Sequence, residues 1–385
     1  MRKKIHVLYI TAQGNFIGGG EVSLLNLLKY LNRERFTPLV VFPSEGSLFQ
    51  AARKMNIKTE VITLKPLRKL HLFSFIRGVA RLFSFVKKEK VDIIHSNAAA
   101  SRESIASAVV AKLAGIPFIY HARVLESSKG IEKFLTRFST RIIAISEKVK
   151  EKFSFVKDKN KVIKIFNAVD LNEFNPETKR GEKIREELSI SREEKIVGTV
   201  GRLYPLKGVD VFLNAAAEVA KEMPKTKFLI VGEDDSFGNY RKKLERLSEE
   251  LGLKNEVIFT GFRTDIPELI AAMDVFVLPS LESYEAFGRV VIEAMAMAKP
   301  VVATRSGGVP EIVEDGVTGI LISPGDAEAM AEAIVTLLKD EDKAKQMGLE
   351  GRQKAERFYG LRTHLERIEN LYLHLLERDQ SREMR

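Results

Sequence analysis

Four short motifs set charged residues and glycines where chemistry on a phosphate or a sugar could occur. Gly201-Arg202-Leu203-Tyr204-Pro205-Leu206-Lys207-Gly208 joins a guanidinium, an ammonium and two glycines ahead of an apolar helical pattern. Arg offers a planar fork that matches phosphate oxygens, and Lys a mobile point charge. A helix N-terminus behind them would add backbone N–H groups, so the loop suits a diphosphate. The alternative is a solvated basic loop. The run from Glu285-Ala286-Phe287-Gly288 to Glu293 puts two carboxylates eight residues apart. Glu293 lies between Ile292 and Ala294 in an apolar helical pattern. An unpaired charge is costly there, which argues against two incidental surface carboxylates. Such a pair can accept hydrogen bonds from ribose hydroxyls, and it also fits a hydrolase.

Two further motifs are glycine loops. Gly18-Gly19-Gly20-Glu21 follows the first apolar run and opens a helical pattern. Its backbone could approach a phosphate or a sugar oxygen closely. It is neither a dinucleotide fingerprint nor a P-loop, and a plain strand-to-helix turn also accounts for it. Ser306-Gly307-Gly308-Val309-Pro310-Glu311 repeats the theme, with Pro310 suited to a first helical turn.

These motifs sit at the ends of short Val/Ile-rich runs, which read as buried parallel strands separated by helices. A first series falls at 5–10, 38–42, 59–62, 92–95, 118–121, 141–145 and 162–165, and a second at 196–200, 227–231, 256–260, 275–278, 300–303 and 319–322. The pattern predicts an α/β protein with two Rossmann-like doubly wound parallel sheets, one in residues 1–175 and one in 176–363, joined near Asn175-Pro176. Open α/β sheets bind ligands beyond the carboxyl ends of their strands, so two of them facing across a cleft would bring the motifs together. The tail, about 364–385, reads as a helix with Leu365, Ile368, Leu371 and Leu375 on one stripe.

Bulk properties narrow the field. The 385 residues include no Cys and no Trp, which excludes disulfides, thiolate metal sites and a cysteine nucleophile. The formal charge of +10 favours anionic partners without choosing among phosphates, nucleic acid and membrane. The apolar run after the basic start ends at Thr11, too short for a secretory core, and no run of 18 apolar residues suggests a membrane span. Residues 65–90 hold eight Lys or Arg, one Glu and four Phe. They read either as a crossover helix with its Phe side packed on the sheet, or as a surface for an anionic membrane that guides a lipid-linked acceptor.

In this order the motifs, with Asn167-Ala168-Val169-Asp170, resemble the family 4 retaining glycosyltransferases of the GT-B fold over nearly the whole chain. The most specific element is the pair Glu285 and Glu293. The resemblance implies a nucleotide diphosphate sugar donor, UDP- or GDP-linked, and a hydroxyl acceptor on a glycan or lipid. Arg202 and Lys207 would hold the diphosphate and stabilise its departing charge. Glu293 would bind the ribose. Glu285, with the N–H groups of Ala286, Phe287 and Gly288, would hold the donor sugar and phosphate. Phe262 and Arg263 would meet the base, and Gly232, at its own strand end, would help bind the donor. Gly19 and Gly20 would close on the phosphate, and His121 would lie near the reacting sugar. The tail helix would cross back to the first domain.

The implied reaction is front-face transfer with retention, free of cofactor and metal, in a cytoplasmic protein peripheral on the inner membrane face. Asp234 stands where the family often has a glycine, which bears on the local sugar contacts. Glu233-Asp234-Asp235 is an acidic turn, not a metal-binding Asp-x-Asp at a strand end. Two other classes stay open: a GT-B-like phosphorylase or epimerase, and a non-catalytic nucleic-acid or sugar-binding protein. The latter fits the charge but not the glutamate pair, and no nucleic-acid partner is expected.

Overall fold

A computed structural model of the chain describes residues 4–16, 18–65, 72–234, 239–282 and 285–383. The chain divides into two compact units, Met1–Asn167 with Arg362–Arg385, and Ala168–Leu361. The first division falls a few residues before Asn175-Pro176.

Unit 1 is built on β1 (Ile5–Ile10), β2 (Phe36–Phe42), β3 (Lys58–Val61), β4 (Ile93–Ser96), β5 (Phe118–Ala122), β6 (Arg141–Ala144) and β7 (Val162–Lys164). They lie in the order β3-β2-β1-β4-β5-β6-β7, each pair parallel. Val7, Leu8, Tyr9 and Ile10 are all within 2% of full burial, so both faces of β1 are covered. That double burial is why the strand reads as an unbroken apolar run rather than an alternating one.

Unit 2 repeats the plan with β8 (Lys195–Val200), β9 (Thr226–Val231), β10 (Val257–Gly261), β11 (Val275–Leu278), β12 (Val301–Thr304) and β13 (Ile320–Ile322). Their order is β10-β9-β8-β11-β12-β13, again all parallel. Its core joins Phe212 and Leu213 of the helix Val209–Glu222 to Phe228 and Ile230 of β9 and to Ile334 of the helix Ala327–Lys339.

In each sheet the order turns back on itself at one point, between β1 and β4 in unit 1 and between β8 and β11 in unit 2. The loops beyond those strands diverge there and leave a crevice.

The tail forms the helix Leu361–Glu383, longer than its apolar stripe suggests. Ile368, Leu371, Tyr372 and Leu375 join Tyr9, Phe36, Ile93 and Ile119 in the core of unit 1. Tyr372 was not part of the expected stripe. It enters because it lies one turn beyond Ile368. No described helix is long and apolar enough to cross a membrane. Ile368 is fully buried. Ile368→Ala should therefore lower the stability of unit 1 by about 2–4 kcal/mol. An unchanged urea midpoint would contradict the tail's place in that core.

Candidate active site

The crevice of unit 2 is lined by three loops, after β8, β11 and β12. Gly201 continues β8, its N–H donating to the Val231 carbonyl at 2.9 Å, and Leu203 N–H donates to the Glu233 carbonyl at 2.9 Å. A 3-10 turn over Pro205–Lys207 leads to Gly208 and then the helix Val209–Glu222. Gly208 has φ of 67°, and a Cβ there would stand 2.1 Å from the Pro279 carbonyl oxygen. Only glycine combines that backbone with that approach. Leu281 N–H then donates to the Leu206 carbonyl at 2.9 Å, stitching the β11 loop to the β8 loop. Gly232, at the end of β9, is as confined: its φ is 145° and a Cβ would meet Gly201 O at 1.8 Å.

Glu285 is fixed from both sides. Its N–H donates to Ser306 Oγ at 3.3 Å, and its carbonyl accepts from Gly308 N–H at 2.8 Å, so the Ser306-Gly307-Gly308 loop holds it. Its carboxylate takes Lys207 Nζ at 2.6 Å and the Ser280 hydroxyl at 3.2 Å. The Lys207–Glu285 pair is mostly buried, at 19% and 14% exposure. Breaking a pair so placed would strand the remaining charge. The loop from Ala286 to Gly288 runs directly into the helix Arg289–Ala296, with Gly288 as its N-cap at φ of 94°. Arg202 is exposed on the β8 loop.

Glu293 lies inside that helix and is 3% exposed. Arg289, one turn earlier, forms an ion pair with its Oε1. Burial pushes the Glu293 carboxyl above the usual range, the Arg289 charge opposes this, and Glu173 adds to it. The sequence reading gave Arg289 no role, although its spacing from Glu293 is that of helical neighbours.

Arg263, expected with Phe262 to meet a nucleotide base, donates from its guanidinium to Asp265 at 2.9 and 2.6 Å and to both carboxylate oxygens of Glu187. Phe262 beside it is 71% exposed.

In unit 1, Gly18 N–H donates to Glu21 Oε2 at 3.0 Å ahead of the helix Gly19–Tyr30. The Gly20 carbonyl accepts from Asn97 Nδ2 at 3.2 Å, which ties the β1 loop to the β4 loop at the switch point. His121 is fully buried near the end of β5. Its Nδ1 lies 3.1 Å from His95 Nε2 and 3.3 Å from an Arg123 Nη2. His95 Nδ1 is 2.6 Å from the Tyr372 hydroxyl, itself 3.0 Å from the Tyr9 hydroxyl. Arg123 also donates to Asn97 Oδ1 at 2.7 Å and Asn167 Oδ1 at 2.6 Å.

Sequence reasoning found His121 but not His95, Arg123 or Tyr372. The available signal was that His95 and His121 stand near the ends of two successive strands. Burial, then Arg123 and His364, drops His95 to about 3. Burial first, with Arg123 and His95 next, holds His121 well below the ordinary histidine value. His364 donates from Nδ1 to the Phe166 carbonyl at 2.7 Å; burial lowers it to about 4, the carbonyl opposing and Arg123 and Arg367 assisting.

Two family models match the chain: Glycosyltransferase Family 4 over residues 17–173, and Glycosyl transferases group 1 over 181–354. The crystal structure of Anabaena Alr3699/HepE in complex with UDP and glucose superposes with a TM-score of 0.82 at 29% identity, over 95% of this chain and 98% of that one. An Escherichia coli protein, the UDP-Gal:alpha-D-GlcNAc-diphosphoundecaprenol alpha-1,3-galactosyltransferase, is 28% identical over 326 residues, 80% of this chain and 82% of its own. The D-inositol 3-phosphate glycosyltransferase of Corynebacterium urealyticum is 37% identical over 206 residues, 52% of this chain and about half, 48%, of its own. The two parallel sheets and these likenesses define a glycosyltransferase of the GT-B fold. Within that class the chain belongs to glycosyltransferase family 4, the two models together spanning most of its length.

The buried histidines make stability depend on pH. A histidine whose folded pKa lies below its unfolded value stabilises the fold above about pH 6.5 and loses that contribution as pH falls toward the folded pKa. Between about pH 6.5 and 4, each contributes a slope of about 1.4 kcal/mol per pH unit. His364→Asn keeps a donor for the Phe166 carbonyl and removes one titrating group. Its urea stability should fall less steeply with acid than the wild type's; equal slopes would show that His364 does not titrate in this range.

Proposed function

We propose that the chain transfers a hexose-type sugar, with retention, from a UDP- or GDP-sugar to a hydroxyl acceptor on a glycan or a lipid carrier. The observation that carries this reading is the Lys207–Glu285 pair, which joins the β8 and β11 loops at the switch point of unit 2. Strands that diverge there leave room for a nucleotide diphosphate. The UDP in the Anabaena complex and the UDP-Gal donor of the Escherichia coli relative favour uridine.

Arg202 and Lys207 face the diphosphate, and Lys207 brings its charge already oriented by Glu285. As the bond from the sugar C1 to the β-phosphate oxygen breaks, negative charge grows on that phosphate. Fixed cations stabilise it without reorganisation. The acceptor oxygen bonds to C1 on the face the phosphate leaves, which preserves the configuration. The acceptor proton passes to the leaving phosphate oxygen, so no protein nucleophile, metal or cofactor is required. Glu293, held by Arg289, accepts the ribose hydroxyls. Phe262 covers the base, and His121 serves a sugar hydroxyl.

The acceptor side draws on the helix Leu72–Lys88. Phe75, Leu82 and Phe85 are buried, as a crossover helix requires. Phe73 is nevertheless 89% exposed, and Leu72 and Ile76 are about half exposed at 49% and 52%. Arg77, Arg81, Lys87 and Lys88 are exposed on the same helix. Residues 66–71 of the basic stretch lie outside the described residues. Apolar side chains beside cations suit an anionic bilayer. The diphosphoundecaprenol acceptor of the Escherichia coli relative is lipid-linked, which supports this placement on the inner membrane face.

Arg202→Ala and Lys207→Ala should each weaken UDP or GDP binding by roughly 10- to 100-fold, the worth of a charge-assisted contact. Isothermal titration with each nucleotide checks this, and wild-type affinity in both variants would sink the diphosphate assignment. Glu285→Gln should cut turnover and, by leaving Lys207 without its counter-charge, also lower the urea midpoint; wild-type turnover in the folded variant would remove Glu285 from the site. Binding to phosphatidylglycerol vesicles should fall in Phe73→Ser/Ile76→Ser and in high salt. Equal sedimentation of wild type and variant would remove the membrane contact.

A further inference from the structure

The buried polar chain of unit 1 has a direction that its own geometry fixes. A guanidinium can only donate. Arg123 Nη2 stands 3.3 Å from His121 Nδ1, so that nitrogen must present its lone pair. His95 Nε2, 3.1 Å from the same atom, must then carry a hydrogen, and its N–H shares that one lone pair with the Arg123 N–H. A neutral imidazole with its proton on Nε2 has a bare Nδ1, and His95 Nδ1 accordingly accepts from the Tyr372 hydroxyl at 2.6 Å. The Tyr372 oxygen accepts in turn from Tyr9 at 3.0 Å. Every proton from Tyr9 to His121 is assigned by one cation at the end of the line.

The same logic places the remaining proton of His121 on Nε2. That atom is closed from solvent and has no acceptor among the described residues. Buried donors in folded proteins are almost always paired. None of the described residues supplies the acceptor for this one, which leaves that part to a ligand.

We infer that Arg123, with His95 and Tyr372 behind it, positions His121 as a neutral Nε2–H tautomer whose free N–H is reserved for an acceptor oxygen of the bound substrate, so that His121 donates a hydrogen bond and cannot act as the base. The choice of a sugar oxygen as that acceptor rests on the transferase reading; the tautomer does not. A second positive charge on the ring would sit against Arg123, and burial opposes it as well, consistent with the depressed basicity of both histidines. Tyr372 comes from the tail helix, so the far end of the chain is one of the three positioning residues.

The test is nitrogen NMR on the full chain labelled in its six histidines. His95→Gln and His121→Gln assign the two rings by loss of signal. The wild type should show both rings protonated on Nε2 alone between pH 5 and pH 8. Arg123→Met should release the constraint, so that an Nδ1–H population of His121 appears, and Arg123→Lys, which keeps a donor, should restore the wild-type pattern. Sugar transfer should fall about tenfold or more in Arg123→Met, as expected for one misdirected hydrogen bond, with UDP affinity retained. A wild-type His121 protonated on Nδ1, or on both nitrogens at neutral pH, overturns the proposal even if Arg123→Met fails to fold. An unchanged tautomer in folded Arg123→Met overturns it too. The expected tautomers in a protein that transfers no sugar from any UDP- or GDP-sugar would instead remove the transferase reading and leave the wiring intact.

Discussion

A parallel sheet covered on both faces has almost no place for a polar side chain except beyond its strand ends, and that constraint organises both halves of this protein. In unit 2 it sends the charged residues into the loops after β8, β11 and β12. Lys207 and Glu285 are 78 positions apart in sequence, yet meet because β8 and β11 are neighbours at the point where the strand order reverses. The ion pair, the glycine that lets the helix start beside Pro279, and the Ser306 loop under Glu285 all follow from that adjacency.

Polar groups that do enter a core are handled in two different ways. Unit 2 buries a charge, Glu293, and compensates it with a cation one helical turn away. Such pairs repay their desolvation incompletely, and the raised carboxyl is the mark of that. Unit 1 buries the paired carboxylates Glu103 and Glu132 and, in addition, a chain of uncharged groups. Tyr9, Tyr372, His95 and His121 are each neutral and each satisfied by the next, apart from the last N–H. A network of that kind fixes orientation without the cost of an isolated ion.

Much of this was legible in the sequence. Each strand lies within two residues of its expected run, and in central strands such as β1 double burial demands continuous apolar residues. The motif loops fall at strand ends as expected. The helix Glu341–Phe358 was not legible. It packs against the helix Arg289–Ala296 through small residues. A Cβ on Gly348 would lie 2.1 Å from the Ala298 carbonyl oxygen, and one on Gly351 3.4 Å from Met295. Close approach, not hydrophobic periodicity, makes that contact, and periodicity was the signal being read. Arg263 shows another limit. One partner, Asp265, is two residues away, but the other, Glu187, lies 76 positions off and no neighbouring residue points to it. The histidine chain was hidden for the same reason, since Tyr372 approaches His95 from a helix 277 positions further along.

The place of the tail helix bears on how the chain comes to be folded as it is made. When the ribosome has delivered all of residues 1–167, the seven strands of the first sheet are present but the layer formed by Ile368, Tyr372 and Leu375 is not. That sheet must wait, with an apolar surface and two unpartnered polar groups uncovered, while the whole of unit 2 is synthesised. At about 5–20 residues per second the wait lasts roughly ten seconds or more. Unit 2, contiguous in sequence, has no such delay. The half that begins first is therefore completed after unit 2, and the helix that follows unit 2 closes the core of the domain that precedes it.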